Sequence, residues 1–284
     1  MALLAGCVPA VPPAPVTYPP LPPAPVAPPV RPPAGPSARI ETPLTQGALV
    51  RGRAAPGARL TVDGEPVPVA EDGSFLFGLD RDAPATVRLT EARDTGEELA
   101  VRELTVAPRA WRIERVNAPY RPPGFDARRP AELARIAAAR ALDTGAEGWR
   151  DALRWPVTGP VRGLFGAQRV YRGTPGSYHG GVDIAAPTGT VVRAPAAGRV
   201  VLAADPPFTL EGRLLLIDHG GGLSSALLHL SRIDVAEGQA VAAGEPVGAV
   251  GATGRATGPH LHWGLTWRGR RLDPLLAAGP MSGR

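Results

Sequence analysis

The 284-residue chain contains no lysine, so all 31 of its basic residues are arginine. This absence excludes Schiff-base catalysis by lysine, a phosphate-loop lysine, and a lysine that carries biotin or lipoate. A single cysteine, Cys7, excludes an intramolecular disulfide and a cysteine-based structural zinc site within the monomer. A bound metal must therefore use histidine, aspartate or glutamate. No apolar run reaches the roughly 18 residues that a membrane-spanning helix needs.

The charge balance favours anionic partners, because 31 basic residues face 26 acidic ones for a net charge of +5. The arginines are scattered and aromatic residues make up only 5% of the chain. No helix-turn-helix or RNA-binding motif accompanies them. We therefore expect no nucleic-acid partner.

The first 37 residues predict an anchor and a tether. Leu4-Ala5-Gly6-Cys7 resembles a lipobox, which predicts lipid modification of Cys7 and a periplasmic location, although six preceding residues are too few for a full signal peptide. Val8 after the cysteine favours the outer membrane. The alternative is a chance cysteine near an ordinary start. Fourteen of the 29 residues from Val8 to Pro36 are proline, so residues 8–37 are predicted to be a disordered tether.

Residues 38–108 are predicted to form a small β-sandwich that resembles an immunoglobulin-like module. Asp63-Gly64 and Asp72-Gly73 are hairpin-type turn signals. Residues 109–155 are predicted to be a connector with a short helix from Pro130 to Leu142, in which Leu133, Ile136 and Ala137 recur at helical spacing. The five predicted strands of the sandwich are Ala48–Arg51, Arg59–Val62, Ser74–Leu79, Thr86–Thr90 and Val101–Val106.

Residues 156–276 contain all five histidines of the chain. The run His260-Leu261-His262-Trp263 alternates polar and apolar residues, which predicts a strand with both imidazoles on one face. A straight strand would hold His179 and Asp183 about 13 Å apart, so we expect a bend at Gly180-Gly181 to bring them together. A purely structural role for this His-x-x-x-Asp pattern remains open.

One carboxylate and two imidazoles suffice for a catalytic zinc site with an open fourth position. Two further histidines could accept a proton from an activated water and stabilise an oxyanion.

Three segments resemble the lysostaphin or LytM-type zinc metallopeptidases, peptidase family M23. They are His179-Gly-Gly-Val-Asp183, Leu228-His229-Leu230-Ser231, and the glycine-rich run from Gly251 to His262. The resemblance implies an antiparallel β-sheet domain with a groove and one Zn²⁺ per chain held by His179, Asp183 and His262. It further implies His229 and His260 as the catalytic pair, and cleavage of peptidoglycan cross-links. Many members carry tyrosine where this chain has Leu227.

Other residues keep a structural interpretation beside a functional one. His219 is expected to be structural. Arg255 is a candidate for binding a substrate carboxylate, or a solvated turn residue. Tyr178 could line the groove or cap it, and Pro206–Gly212 is expected to be an exposed loop beside the groove. Residues 277–284 form a tail.

The sequence also bears on three other functional classes. The Gly-x-Val spacing of a biotinyl or lipoyl carrier is present, but the missing lysine excludes that class. The order of histidines and aspartate matches neither a cupin nor an iron oxygenase. The remaining alternative is a non-catalytic LytM-type protein that binds the cell wall or activates another hydrolase, and a regulatory protein partner fits either interpretation.

Overall fold

A computed structural model describes residues 37–122, 124 and 126–281. The predicted lipobox and residues 8–36 of the predicted tether lie outside the described residues, as do the last three residues of the tail. The fold is mainly β, as predicted, and the strands among the described residues form five sheets. Within this part of the chain, all pairs of named strands are antiparallel except one. No helix among the described residues is long and apolar enough to cross a membrane.

The N-terminal strands form two small sheets. The first has the order β1-β2-β5 and the second has the order β4-β3-β6-β7. Their bounds are β1 Arg39–Ile40, β2 Leu49–Arg53, β3 Arg59–Val62, β4 Glu65–Val67, β5 Ser74–Gly78, β6 Thr86–Ala92 and β7 Glu98–Thr105.

Five of these seven strands, β2, β3, β5, β6 and β7, overlap the five that were predicted, whereas β1 and β4 were not predicted. The predicted turn at Asp63-Gly64 connects β3 to β4. Asp63 and Gly64 both have positive φ, of 51° and 81°, as a two-residue hairpin turn requires. Side chains along β6 alternate between buried and exposed, so one face of each sheet is covered. Phe75 and Phe77 of β5 are almost fully buried in the core between the sheets.

The C-terminal part is built on one eight-stranded sheet, with the order β18-β14-β15-β16-β20-β12-β9 and with β21 paired to β20. Its strands are β9 Val161–Gly163, β12 Gly181–Ala185, β14 Gly198–Ala203, β15 Arg213–Gly220, β16 Leu223–Leu230, β18 Ala240–Val241, β20 His260–Trp267 and β21 Arg270–Leu272. A three-stranded sheet packs beside it and contains β13 Val191–Arg193, β17 Arg232–Ile233 and β19 Pro246–Ala249.

Helices border the large sheet. They are α1 Arg129–Arg140, a 3-10 turn at Gly148–Arg150, and α2 Pro274–Ala278. The helix expected from Pro130 is thus present, but its packing face differs from the prediction. Ile136 and Ala139 are buried against the sheet together with Glu132, whereas Leu133 is 49% exposed and Ala137 is exposed. Glu132 takes the buried position because it is bonded to a neighbouring loop, as shown below.

Two features of the connecting and loop segments differ from expectation. The connector also contains a strand, β8 Ile113–Val116, which pairs in parallel with β10 Gln168–Tyr171, and β11 Thr174–Pro175 completes this sheet. The loop Pro206–Gly212 is not simply exposed, because Phe208 is buried in the apolar cluster that includes Ile136 of α1.

The N-terminal sheets and the large sheet share one apolar core. Gly78 of β5 lies so close to Trp267 and Leu272 that an added Cβ would be 2.9 Å from each side chain. Arg51 donates a hydrogen bond to the Asp151 carbonyl, at 2.8 Å. The large sheet is therefore backed on one side by the N-terminal sheets.

Candidate metal centre

Strand register brings two of the predicted ligands together. In the antiparallel pair β12–β20, Asp183 lies directly opposite His262, and Ala185 lies opposite His260. Side chains directly opposite each other project to the same face of a sheet. The carboxylate of Asp183 and both imidazoles of β20 consequently share one face, as the alternation of β20 predicted.

His179 reaches the same place through the predicted bend before β12. Its main chain is held on both sides, because Gly166 donates to the His179 carbonyl at 2.9 Å and His179 N–H donates to Ala167 O at 2.8 Å. His179 Nδ1 bonds the carbonyl of Leu164 at 3.1 Å. This orients Nε2 toward Asp183.

The three side chains meet at a triangle of donor atoms. His179 Nε2 lies 3.0 Å from Asp183 Oδ1 and 3.0 Å from His262 Nδ1, and His262 Nδ1 lies 2.8 Å from Asp183 Oδ1. Zinc–ligand bonds of about 2.0–2.1 Å in a tetrahedron place ligand atoms about 3.3 Å apart. The residues present thus fit a zinc-sized ion after an opening of a few tenths of an ångström, and the donor set of two nitrogens and one oxygen is typical of zinc.

Two glycines make room for these ligands, and sequence reasoning missed both roles. A Cβ on Gly163 of β9 would lie 2.2 Å from Asp183 Oδ2. A Cβ on Gly181 would lie 2.8 Å from His262 Nε2 and 2.3 Å from the Trp263 carbonyl. Only a residue without a side chain fits at either position.

His229 and His260 form a second imidazole pair beside the triangle, with ring centroids 4.8 Å apart. Thr253 O accepts from His229 Nδ1 and Gly258 O accepts from His260 Nδ1, both at 2.8 Å. These bonds assign the proton to Nδ1 and leave a lone pair on Nε2 of each ring. Both accepting carbonyls are main-chain atoms, which no side-chain motif reveals.

His229 has a backbone conformation that is rare for its residue type. Its φ is 64°, in the left-handed region that few non-glycine residues adopt. The conformation is held by His229 N–H, which donates to Glu211 O at 2.9 Å. Strain of this kind is concentrated at functional sites in proteins.

Burial and charge set the protonation of the centre. Burial would raise the pKa of Asp183, but hydrogen bonds from His179 and His262 outweigh it and hold that pKa well below its usual range. Burial lowers the pKa of His262. For His179, burial opposes the charged form, and Asp183 outweighs burial and raises the pKa. Burial lowers the pKa of His229 to about 4, so its imidazole is neutral at pH 7.

The fifth histidine has the structural role that was expected. His219 is fully buried, and its two ring nitrogens are bonded to the Ala197 carbonyl at 2.9 Å and to Ser225 Oγ at 2.8 Å. Burial lowers its pKa. With both nitrogens engaged, the ring has no atom left for chemistry.

The remaining residues that the sequence singled out differ in how deeply they are buried. Tyr178 is half-buried between the guanidinium groups of Arg81 and Arg271, whose Cζ atoms lie 5.0 and 5.3 Å from its ring centroid. Arg255 is exposed and lines a cavity of about 670 Å³ together with His179 and Asp183. Leu227 is buried opposite Trp263 in the core, so a side chain at this position faces away from the metal triangle.

Two imidazoles and a carboxylate on an antiparallel sheet, with two further imidazoles beside them, are typical of the sites of metal-dependent hydrolases. The model of peptidase family M23 matches residues 177–274, which include all five of these residues. A solved structure described as a putative peptidase M23 from Pseudomonas aeruginosa has 32% sequence identity and a TM-score of 0.64, and the match covers 83% of this chain and 94% of that one. The chain belongs to peptidase family M23.

Curated relatives show similarity over shorter stretches. The chain is 42% identical over 104 residues to the peptidoglycan DD-endopeptidase ShyA of Vibrio cholerae, which is 37% of this chain and 24% of that protein. It is 34% identical over 124 residues to the murein hydrolase activator NlpD of Salmonella dublin, which is 44% of this chain and 30% of that protein. The matches thus span less than a third of these relatives' length.

Proposed function

We propose that this protein is a zinc-dependent endopeptidase that hydrolyses peptide cross-links of bacterial peptidoglycan. The observation that carries the proposal is the meeting of His179, Asp183 and His262 at one triangle of donor atoms, with His229 and His260 oriented beside it. The curated relative ShyA, a peptidoglycan DD-endopeptidase, supports the substrate class. We also propose that the protein is located in the cell envelope and is attached to the outer membrane by a lipid on Cys7.

His179 Nε2, Asp183 Oδ1 and His262 Nδ1 would hold the ion. When bound, zinc lowers the pKa of a water molecule toward 7 and polarises the carbonyl of the scissile bond. Since the ring proton of His260 is engaged by Gly258 O, His260 Nε2 offers a lone pair that accepts a proton from the attacking water. His229, neutral at pH 7, offers the same atom on the other side of the pair. Once protonated, either Nε2 becomes a donor to the developing oxyanion or to the departing amine.

The test uses the full chain, because residues from Arg109 onward share a core with the N-terminal sheets. Purified peptidoglycan is digested with zinc-loaded protein, with and without a chelator, and the released fragments are separated by chromatography. We expect cross-linked dimers to be converted to monomers, and the chelator to stop this conversion. An intact dimer fraction at full zinc occupancy would contradict the proposal.

A second function has a specific observation in its favour, since the chain also resembles a murein hydrolase activator. In that case the protein would sediment with peptidoglycan and stimulate a separate hydrolase, with no cleavage of its own. The complete ligand set and the two oriented imidazoles favour the enzyme, because an activator needs neither.

A further inference from the structure

The cavity next to the metal triangle has a strongly cationic lining. Besides His179 and Asp183, it is lined by five arginines, called the arginine rim here: Arg112, Arg121, Arg162, Arg169 and Arg255. All five side chains are exposed. They come from the residue just before β8 and the loop after it, from β9 and β10, and from the loop before β20, so that separate parts of the chain converge on this cavity.

Most of the rim lacks a counter-charge. Arg169 pairs with Glu114 at 2.8 Å, but within the described part of the chain no carboxylate lies within 4 Å of the guanidinium of Arg112, Arg121, Arg162 or Arg255. Arginines on other surfaces do pair, as Arg59 does with Asp94 at 2.9 Å. Four unpaired guanidiniums around one cavity produce a positive potential that attracts an anionic ligand.

The form of the cavity indicates an extended ligand with carboxylates. Its volume of about 670 Å³ exceeds what a small anion needs. Tyr120 and Tyr171, whose ring centroids are 5.7 Å apart, add aromatic surface to the same lining. A guanidinium matches a carboxylate with two parallel hydrogen bonds, and each exposed pair of this kind adds a modest gain in affinity.

We propose that the arginine rim binds free carboxylates of the peptide substrate, and that the enzyme therefore prefers peptide dimers with free carboxylates to the same dimers with carboxamides. The inference rests on the proposed function for the identity of the substrate. It adds a selection by charge that the metal triangle alone does not provide.

Binding and cleavage are measured separately, so that the two proposals can fail independently. Fluorescein-labelled peptidoglycan peptide dimers, as free carboxylates and as carboxamides, are titrated with zinc-loaded His260→Ala protein, and anisotropy gives Kd. We expect the carboxylate form to bind about tenfold more tightly, and the difference to shrink when NaCl rises from 50 to 500 mM. Kd values within twofold of each other would overturn the rim proposal. Tight binding of the carboxylate dimer without its cleavage by unmodified protein would overturn the proposed function alone.

Variants connect the preference to the rim. Arg162→Gln with Arg255→Gln should reduce the difference in Kd between the two dimers by about half on a logarithmic scale, because two of the four unpaired guanidiniums are then absent. The matched control is Arg39→Gln with Arg88→Gln, two exposed arginines on β1 and β6 that keep the preference unchanged. A rim variant with the full preference would contradict the assignment.

Discussion

The N-terminal sheets and the large C-terminal sheet are built by the same alternation of buried and exposed side chains, but one buried polar side chain in each, Glu91 and His229, differs in how fully it is hydrogen-bonded. In the N-terminal part, Glu91 is 2% exposed, and its carboxylate accepts from Ser37 N–H, Ser37 Oγ and Ala38 N–H at 2.6–3.0 Å. In the large sheet, His229 is 7% exposed, yet only Nδ1 of its ring has a hydrogen-bond partner among the described residues. A fully bonded polar group stabilises the fold, whereas a half-bonded one is available for chemistry.

The strongest test is to remove histidines of the site itself, first a metal ligand and then one of the imidazole pair beside it. His179→Ala deletes one donor of the metal triangle, and we expect loss of zinc together with a loss of turnover of about a thousandfold or more. His260→Ala should keep zinc and lower kcat by about a hundredfold or more, because it removes a proton acceptor and no ligand. Metal content and dimer cleavage are measured on both variants. Equal zinc content in the two would contradict the division between ligands and proton acceptors.

A substitution at Gly163 tests the space around the metal ligands without changing the ligands themselves. Gly163→Ala places a methyl group against Asp183 Oδ2, so the carboxylate must turn away from the triangle. We expect zinc affinity to fall about 10- to 100-fold, as for other changes that misorient a ligand. Competition with a fluorescent chelator measures the affinity. The control is Gly124→Ala, where an added methyl meets no atom within 4 Å, and the idea fails if both variants bind zinc equally.

Some of the features that these two tests probe could be predicted from the sequence, and others could not. The main strands of the N-terminal part and β20 of the large sheet follow from alternation and turn residues, and the meeting of His179 with Asp183 follows from the need for a bend at two glycines. The role of Gly163 could not be predicted, because it depends on which strand lies beside β12. The carbonyls of Leu164, Thr253 and Gly258 could not be predicted either, since main-chain atoms leave no pattern in the sequence.

Strand β8 and the inward turn of Glu132 escaped prediction for a related reason. Parallel pairing with β10 brings together segments about 55 residues apart, and a four-residue strand with three exposed side chains carries little alternation. Glu132 is a charged residue, a type that is usually exposed, but tertiary hydrogen bonds outweigh that preference here. Both the formation of β8 and the burial of Glu132 depend on partners that are distant in the sequence, and local propensity does not predict them.

One arginine connects the two parts of the molecule and supports the metal centre. Arg81 follows β5 and is 7% exposed, and its guanidinium donates to Gly166 O and Gln168 Oε1, both at 3.0 Å, next to the ring of Tyr178. Gly166 in turn donates to the His179 carbonyl. We expect Arg81→Ala to lower zinc affinity or kcat about tenfold while KM stays within twofold.

A loss of stability alone must be separated from this positioning role. Arg51→Ala also removes hydrogen bonds between the two parts, but these end on residues 149–151, away from the metal ligands. Both variants should lower Tm, and only Arg81→Ala should change zinc affinity. If Arg51→Ala weakens zinc binding as much, Arg81 is structural.

The smallest effect concerns a fully bonded carboxylate in the C-terminal part, the counterpart of Glu91. Glu132 accepts from Thr209 N–H at 2.8 Å and from Thr209 Oγ1 at 2.6 Å. Burial raises its pKa, but the bonds from Thr209 and the charge of Arg129 outweigh burial, so the pKa is lower in the folded protein than in the unfolded chain. Stabilisation by the carboxylate is therefore complete above the unfolded pKa of about 4.3 and is lost as pH falls through the lower folded value.

Glu132→Gln removes this charge while it keeps the shape of the side chain. At pH 7 we expect the free energy of unfolding to fall by about 1 kcal/mol, since hydrogen bonds to a charged group are replaced by weaker bonds to a neutral one. The difference from unmodified protein should narrow as pH falls below about 4.3, because protonation then removes the same charge from Glu132. Urea unfolding between pH 7 and pH 3.5 measures both, with exposed Glu103→Gln as the unchanged control. If the difference in free energy of unfolding stayed constant over this range, the charge of Glu132 would not contribute to stability, and the prediction would be wrong.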